Sequence, residues 1–218
     1  MYGCQLKRTA MQPSRKHSAK GKILEAALSA IRTKGYAATT VDDLCEAAGV
    51  TKGAFFHHFK SKEDLAVAAA DHWSEMTGAL FAEAPYHEHA DPLDRVLGYI
   101  ELRKTLLVGE LPEFTCLVGT MVQEIYDSNP AIRDACTRSI TSHASKIEPD
   151  IREAIAKYGI NPAWTATSLA LYTQAVLQGA FILAKATGGS KAAADVVDHL
   201  RRYVELLFNR AQKKEKAR

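Results

Sequence analysis

Residues 39–65 read Thr39-Thr40-Val41-Asp42-Asp43-Leu44-Cys45-Glu46-Ala47-Ala48-Gly49-Val50-Thr51-Lys52-Gly53-Ala54-Phe55-Phe56-His57-His58-Phe59-Lys60-Ser61-Lys62-Glu63-Asp64-Leu65. A threonine hydroxyl ahead of Val41 and carboxylates at 42 and 43 suit the amino end of a helix, where free N–H groups need acceptors. Gly49 stops that helix after about two turns, at the roughly 3.6 residues each turn takes. Thr51 caps a second short helix through Lys52–His58, and Ser61 with Asp64 opens a third in the manner of a capping box. Small Cys45 and Ala48 let two helices cross closely, Gly49 allows a tight turn, and Val50 and Phe55 fill the crossing. The stretch therefore predicts a helix-turn-helix.

Working outward, Leu24, Ala27, Leu28 and Ile31 repeat at helical spacing, which predicts a helix from about Ala19 to a stop at Gly35. Downstream, Leu65, Ala69, Trp73, Met76 and Leu80 form one apolar stripe. Tyr86–Asp91 reads as a polar loop, Pro92 as the first residue of a helix, and Pro112 as the start of another that ends near Asp127. Asn129-Pro130 opens a long helix toward Tyr158, kinked or split at Pro149. Asn161-Pro162 begins a helix that holds the uncharged residues 164–184 and that Gly188-Gly189 ends, and a last helix sets Val196, Leu200, Tyr203, Val204 and Leu207 on one side.

The 218 residues suffice for a substantial core without disulfides, and 47% hydrophobic with 24% charged residues excludes a disordered chain. Few β-branched runs and abundant Ala, Leu, Lys and Glu point to an all-α protein. Cys4, Cys45, Cys116 and Cys136 show no ligand spacing, so reduced thiols and a cytoplasmic location are expected. No export signal is read, and residues 164–184, uncharged but carrying Thr165, Thr167, Ser168, Thr173, Gln174 and Gln178, read as a buried helix rather than a membrane span. The net charge of +3 conceals segments of +5 (residues 1–64), −6 (65–209) and +4 (210–218). Six cations and no acid in the first 22 residues are the footprint expected beside a phosphate backbone.

The quoted stretch resembles the amino-terminal module of the tetracycline-repressor (TetR) family of transcription regulators. The resemblance implies a homodimeric, all-helical repressor with a three-helix DNA-binding module and a larger ligand-binding domain whose last two helices form the dimer. It puts Thr40 at a helix end that meets phosphate, and Thr51, Lys52, Gly53 and Ala54 at the front of the recognition helix, followed by His57, His58 and Lys60. Phe56, also a candidate DNA contact, stands where the family usually has Tyr; without that hydroxyl a phosphate hydrogen bond is lost, so the residue is read either as contact or as packing, while Phe55 and Phe59 are assigned to the module's core. Because adjacent helical residues point differently, at most one of His57 and His58 faces DNA squarely.

The expected organisation is a basic arm over 1–17, the DNA-binding module over 18–64, a ligand-binding and dimerisation domain over 65–210, and a basic tail over 211–218. In the larger domain Trp73, Tyr99, Arg103, Phe114, Cys116, Tyr126, Trp164 and Tyr172 are candidate effector contacts, mixed aromatic and polar groups in an apolar helical body. The stretch Phe114-Thr115-Cys116-Leu117-Val118-Gly119, with Glu124 and Asn129-Pro130 after it, resembles a subgroup responding to reactive electrophiles, in which a cysteine at this place can be the sensor. The expected partners are a double-stranded operator, a small-molecule effector and a second copy of the chain, with no membrane. Tyr86-His87-Glu88-His89-Ala90-Asp91 is read as a loop rather than a metal site, and no cofactor or catalytic set is expected. The rival reading is an all-helical thiol enzyme using Cys116.

Overall fold

A computed structural model of the chain describes residues 18–209. The basic arm, the basic tail and Cys4 lie outside the described residues. Among those described there are eleven α-helices, one short 3-10 turn and no strand, so the chain is all-α.

Helices α1 (Ala19–Lys34), α2 (Val41–Ala48), α3 (Lys52–His58) and α4 (Lys62–Ala82) begin where hydroxyl caps stand: Ser18, Thr40, Thr51 and Ser61 each accept a backbone N–H from three residues on. At Thr40 the exchange is reciprocal, Asp43 Oδ2 accepting the Thr40 N–H at 2.8 Å. At Ser61 it is offset, because Asp64 Oδ2 accepts from Lys60 N–H at 3.0 Å. Gly49 adopts φ 63°, ψ 41°, the left-handed conformation glycine reaches without steric cost, and so turns α2 into α3.

Beyond α4 the polar loop expected at Tyr86–Asp91 proves to be ordered. A 3-10 turn, Pro85–Glu88, tucks Tyr86 into the core, where its hydroxyl donates to Phe81 O at 3.3 Å. His87 Nε2–H donates to the same carbonyl at 2.9 Å. Helix α5 (Pro92–Thr105) follows, with Asp91 as cap. The helix expected from Pro112 to Asp127 is two, α6 (Leu111–Phe114) and α7 (Leu117–Ile125), because Thr115 and Cys116 are extended and Cys116 starts a fresh cap. The long helix is likewise two, α8 (Pro130–Ser145) and α9 (Glu148–Tyr158), with Pro149 in the first turn of the second. The helix that holds most of the uncharged stretch, α10 (Ala166–Thr187), carries Lys185 in its last turn and begins after Trp164 rather than at Pro162, since Thr165 supplies the cap. Helix α11 (Lys191–Leu207) buries Ala193, Val197, Leu200 and Val204, a packed side that turns Tyr203 outward, against expectation.

Two apolar clusters organise the body. One joins α1–α3 and the first half of α4 to Leu117, Val118, Met121 and Ile125 of α7 and Ile132, Ala135 and Cys136 of α8. The other joins Phe81 of α4 to α5, α9, α10 and α11. The helix-turn-helix is therefore not closed on itself, and its core continues into α7 and α8. Arg95 ties α5 to α9 through Asp150 at 2.6 Å, both only 15% exposed, and through Glu153.

By length and composition α10 is the one described helix able to cross a membrane. One side of it is packed within the chain through Leu169, Thr173, Leu177, Ala180, Phe181 and Ala184.

Candidate functional site

Helix α3 is held from below. Phe55 and Phe59 are fully buried, their rings 5.8 Å apart, and Phe55 meets the Phe56 ring edge-on at 5.2 Å. The opposite side of the helix then has nothing to cover, and Thr51, Lys52, Gly53, Phe56, His57 and Lys60 are exposed, with Ala54 and His58 half-buried on a flank. Phe56 is 54% exposed, so the aromatic that replaces the expected Tyr is surface rather than core. Of the histidine pair, His57 points out and His58 to the side, the rings meeting edge-to-face at 4.9 Å. Lys52 Nζ reaches Asp42 Oδ1 at 2.7 Å, which raises the lysine's pKa and leaves α2 and α3 joined at their exposed ends.

The turn before α2 is fixed from three directions. Thr39 Oγ1–H donates to Gly35 O at 2.6 Å. Lys62 Nζ donates to Tyr36 O at 3.1 Å and Thr39 O at 3.0 Å while lying over the Tyr36 ring. From α7, Glu124 accepts the Tyr36 N–H at 3.1 Å and the Ala37 N–H at 2.8 Å. Gly35 has φ 88°, and a Cβ there would stand 2.5 Å from Glu124 Oε1, so only glycine lets this carboxylate approach. Thr40, exposed and capping α2, follows directly.

At the seam between the two apolar clusters lies a cavity of about 260 Å³. Four candidate contacts, Trp73, Arg103, Phe114 and Cys116, line it. Tyr99 sits behind its wall, completely buried, and acts through its hydroxyl. Gln174 Nε2–H donates to Tyr99 Oη at 2.8 Å, Tyr99 O–H donates to His143 Nε2 at 3.0 Å, and Arg103 Nη1–H reaches the same nitrogen at 3.2 Å. His143 is thus an acceptor at Nε2 with its proton on Nδ1. Burial, with Arg103 and Lys146 nearby, pulls its imidazole down to about 3. The other three candidates are elsewhere. Tyr126 is 63% exposed at the end of α7, Trp164 packs on Phe208, and Tyr172 pairs with Tyr203 on the surface at 5.2 Å.

The cavity also takes Arg32, Phe81, His143, Gln174 and Phe181, which sequence reasoning did not single out as contacts. For His143 a signal exists: Ile132, Cys136 and Ser139 mark the buried side of α8, and 143 continues that spacing. Arg32 lies over Trp73, ring centroid 5.0 Å away, and its Nε–H donates to Leu28 O at 2.8 Å. Cys116 Sγ accepts from Gly119 N–H at 3.4 Å as the cap of α7.

Comparison with known proteins bears on both sites. The profile described as "Bacterial regulatory proteins, tetR family" matches residues 23–69, and "Tetracyclin repressor-like, C-terminal domain" matches residues 92–200, half of the chain by itself. The transcriptional regulator AcuR of Cereibacter sphaeroides is 28% identical over 103 residues, 47% of each chain. The chain spans about half or less of the length of the first curated relatives it matches. Among solved structures, a TetR-family regulator from Agrobacterium tumefaciens has a TM-score of 0.75 at 20% identity, covering 85% of this chain and 96% of that one. The TetR-family regulator CifR, solved as a cysteine mutant with 26-bp double-strand operator DNA, has a TM-score of 0.70 at 20% identity, covering 83% of this chain and 94% of that one. At such identities these two structures share the fold.

Proposed function

Since the chain belongs to the tetR family of bacterial regulatory proteins, we propose that it is a homodimeric repressor that leaves a roughly palindromic operator when a small molecule fills the cavity at the seam. One observation carries the DNA-binding half of this reading: the start of α3, with Thr51, Lys52 and Gly53, is exposed and polar above a rigid floor of Phe55 and Phe59. That is how a recognition helix offers its first turn to base edges and phosphates. CifR with its operator DNA is a precedent in the same fold. Release is a population shift, the ligand binding the DNA-incompetent arrangement of the two modules more tightly than the competent one.

A gel shift with the DNA upstream of the protein's own gene tests it. Lys52→Ala and Lys60→Ala should each weaken binding and flatten its salt dependence, the slope of log K against log salt falling by about 0.9 for each phosphate no longer neutralised. Slopes identical to wild type in both variants remove these lysines from the interface, and no retarded DNA at low salt removes the function.

The dimer half rests on the outer face of the last two helices. Leu171, Tyr172, Ile182 and Leu183 of α10 and Tyr203 and Leu206 of α11 are all more than 40% exposed. Such a contiguous apolar face marks an interface. Gly179 lies in it, and a Cβ there would meet nothing within 4 Å in its own chain. The glycine thus leaves room for the backbone of a second copy. Gly179→Leu is expected to turn dimer into monomer or aggregate in light scattering without loss of helix content; a well-behaved dimer moves the interface elsewhere.

A further inference from the structure

We propose that the cavity at the seam is built for an organic monoanion, a carboxylate on a small apolar body, held by Arg103. The inference rests on the reading of that cavity as the effector site and deepens it. A guanidinium carries five N–H donors, and that of Arg103 spends them on neutral groups alone, His143 Nε2 at 3.2 Å and the neighbouring Tyr99 hydroxyl. No carboxylate of the described residues lies within ion-pairing distance of it. It is instead surrounded by ring faces, 5.3 Å from Phe81, 6.0 Å from Tyr99 and 5.7 Å from Phe181. The charge is thus fixed in place by cation–π contacts and neutral partners with no counter-charge from the protein, the arrangement in which a bidentate carboxylate gains most.

The rest of the wall supports one negative charge and an apolar body. Arg32, the other cation there, already donates to Leu28 O and Glu113 O. Glu113, the wall's acid, accepts the Glu110 N–H at 2.7 Å on the exposed side. His143 is neutral, so it adds a hydrogen-bonding edge and no charge. A neutral apolar ligand would cover the guanidinium without replacing its water, a desolvation cost with no return. A cationic ligand would meet repulsion. The cavity volume of about 260 Å³ falls below the roughly 300–1,000 Å³ usual for ligand pockets, which limits the body to about one ring or a short chain.

The test is calorimetry on the whole protein without DNA, using benzoate, phenylacetate, 3-phenylpropionate and hexanoate beside their amides and benzylamine. At least one acid should bind at least tenfold more tightly than its own amide, and benzylamine should not bind. Arg103→Met should remove that preference and Arg103→Lys should keep part of it, with unfolding temperatures checking that each variant is folded. Equal binding of acid and amide, binding of the amine, or no binding by any acid overturns the proposal. Because DNA is absent, these outcomes are independent of the gel shift: an acid that binds a protein unable to retard DNA leaves the anion site standing and removes the repressor, and the converse removes only the anion.

Discussion

Truncating Phe55 to alanine is expected to cost about 3–5 kcal/mol, the range for a fully enclosed phenylalanine, and to abolish DNA binding with it. The side chain has no exposed surface and lies against the rings of Phe56 and Phe59. Helix α3 has seven residues, too few to persist without the contact beneath it. Since natural domains hold together by only about 5–15 kcal/mol, the loss consumes a large share of stability. Urea unfolding followed by circular dichroism reads the cost directly. A variant that unfolds at the wild-type midpoint shows that α3 is not pinned through Phe55.

Acidification should destabilise the protein through His143. The imidazole is neutral in the folded chain, its pKa drawn down to about 3 chiefly by burial, whereas an unfolded histidine titrates near 6.5. Below pH 6.5 the unfolded state therefore binds the extra proton, so the stability tied to this group is fully present above pH 6.5 and drains as the pH falls toward 3. At pH 5 the loss is about 2 kcal/mol. Urea midpoints at pH 7 and pH 5 for wild type and His143→Gln, which keeps a hydrogen-bonding side chain facing Tyr99 and Arg103, isolate the effect from the exposed histidines. Wild type should lose about 2 kcal/mol more than the variant across that interval; parallel losses mean that the imidazole is already charged in the fold.

The helix-turn-helix was legible because every signal in it is local. Thr40, Thr51, Ser61, Gly35 and Gly49 act on neighbours three to five residues away, and each cap or stop stands where the spacing puts it. Boundaries failed where two local signals competed. Pro112 can open a helix, but Thr115 and Cys116 restart it three residues later, and Thr165 outranks Pro162 as the start of α10.

The cavity was half legible. Aromatic and polar side chains in an apolar helical body pointed at Trp73, Arg103, Phe114 and Cys116, yet the same rule swept in Tyr126 and Tyr172, which lie on exposed faces, and Trp164, which sits in the bend before α10 and packs on Phe208. The spacing of Ile132, Cys136 and Ser139 puts His143 on the packed side of α8, but its partners there, Tyr99 and Arg103, are 44 and 40 residues away and are not encoded in that spacing. Lys62 and Glu124 share this character. Both stand in stretches that carry the family resemblance, with no role assigned to either, and each is committed to backbone groups of the turn before α2.

Glu124 makes α7 a lever. One end of the helix is Cys116, on the cavity wall; the other, about 12 Å further along at 1.5 Å per residue, grips the amides of Tyr36 and Ala37, immediately ahead of the Thr39-Thr40 start of α2. The grip has two points of attachment, one on each carboxylate oxygen, and the bare Cα of Gly35 leaves the carboxylate room to make both. Whatever tilts α7 at the cavity must therefore either drag the turn, and with it the pair α2–α3, or break two hydrogen bonds to a charged group, worth about 1.5–3 kcal/mol each. In the proposed release this grip is the route by which a tilt of α7 at the cavity would reach the pair α2–α3.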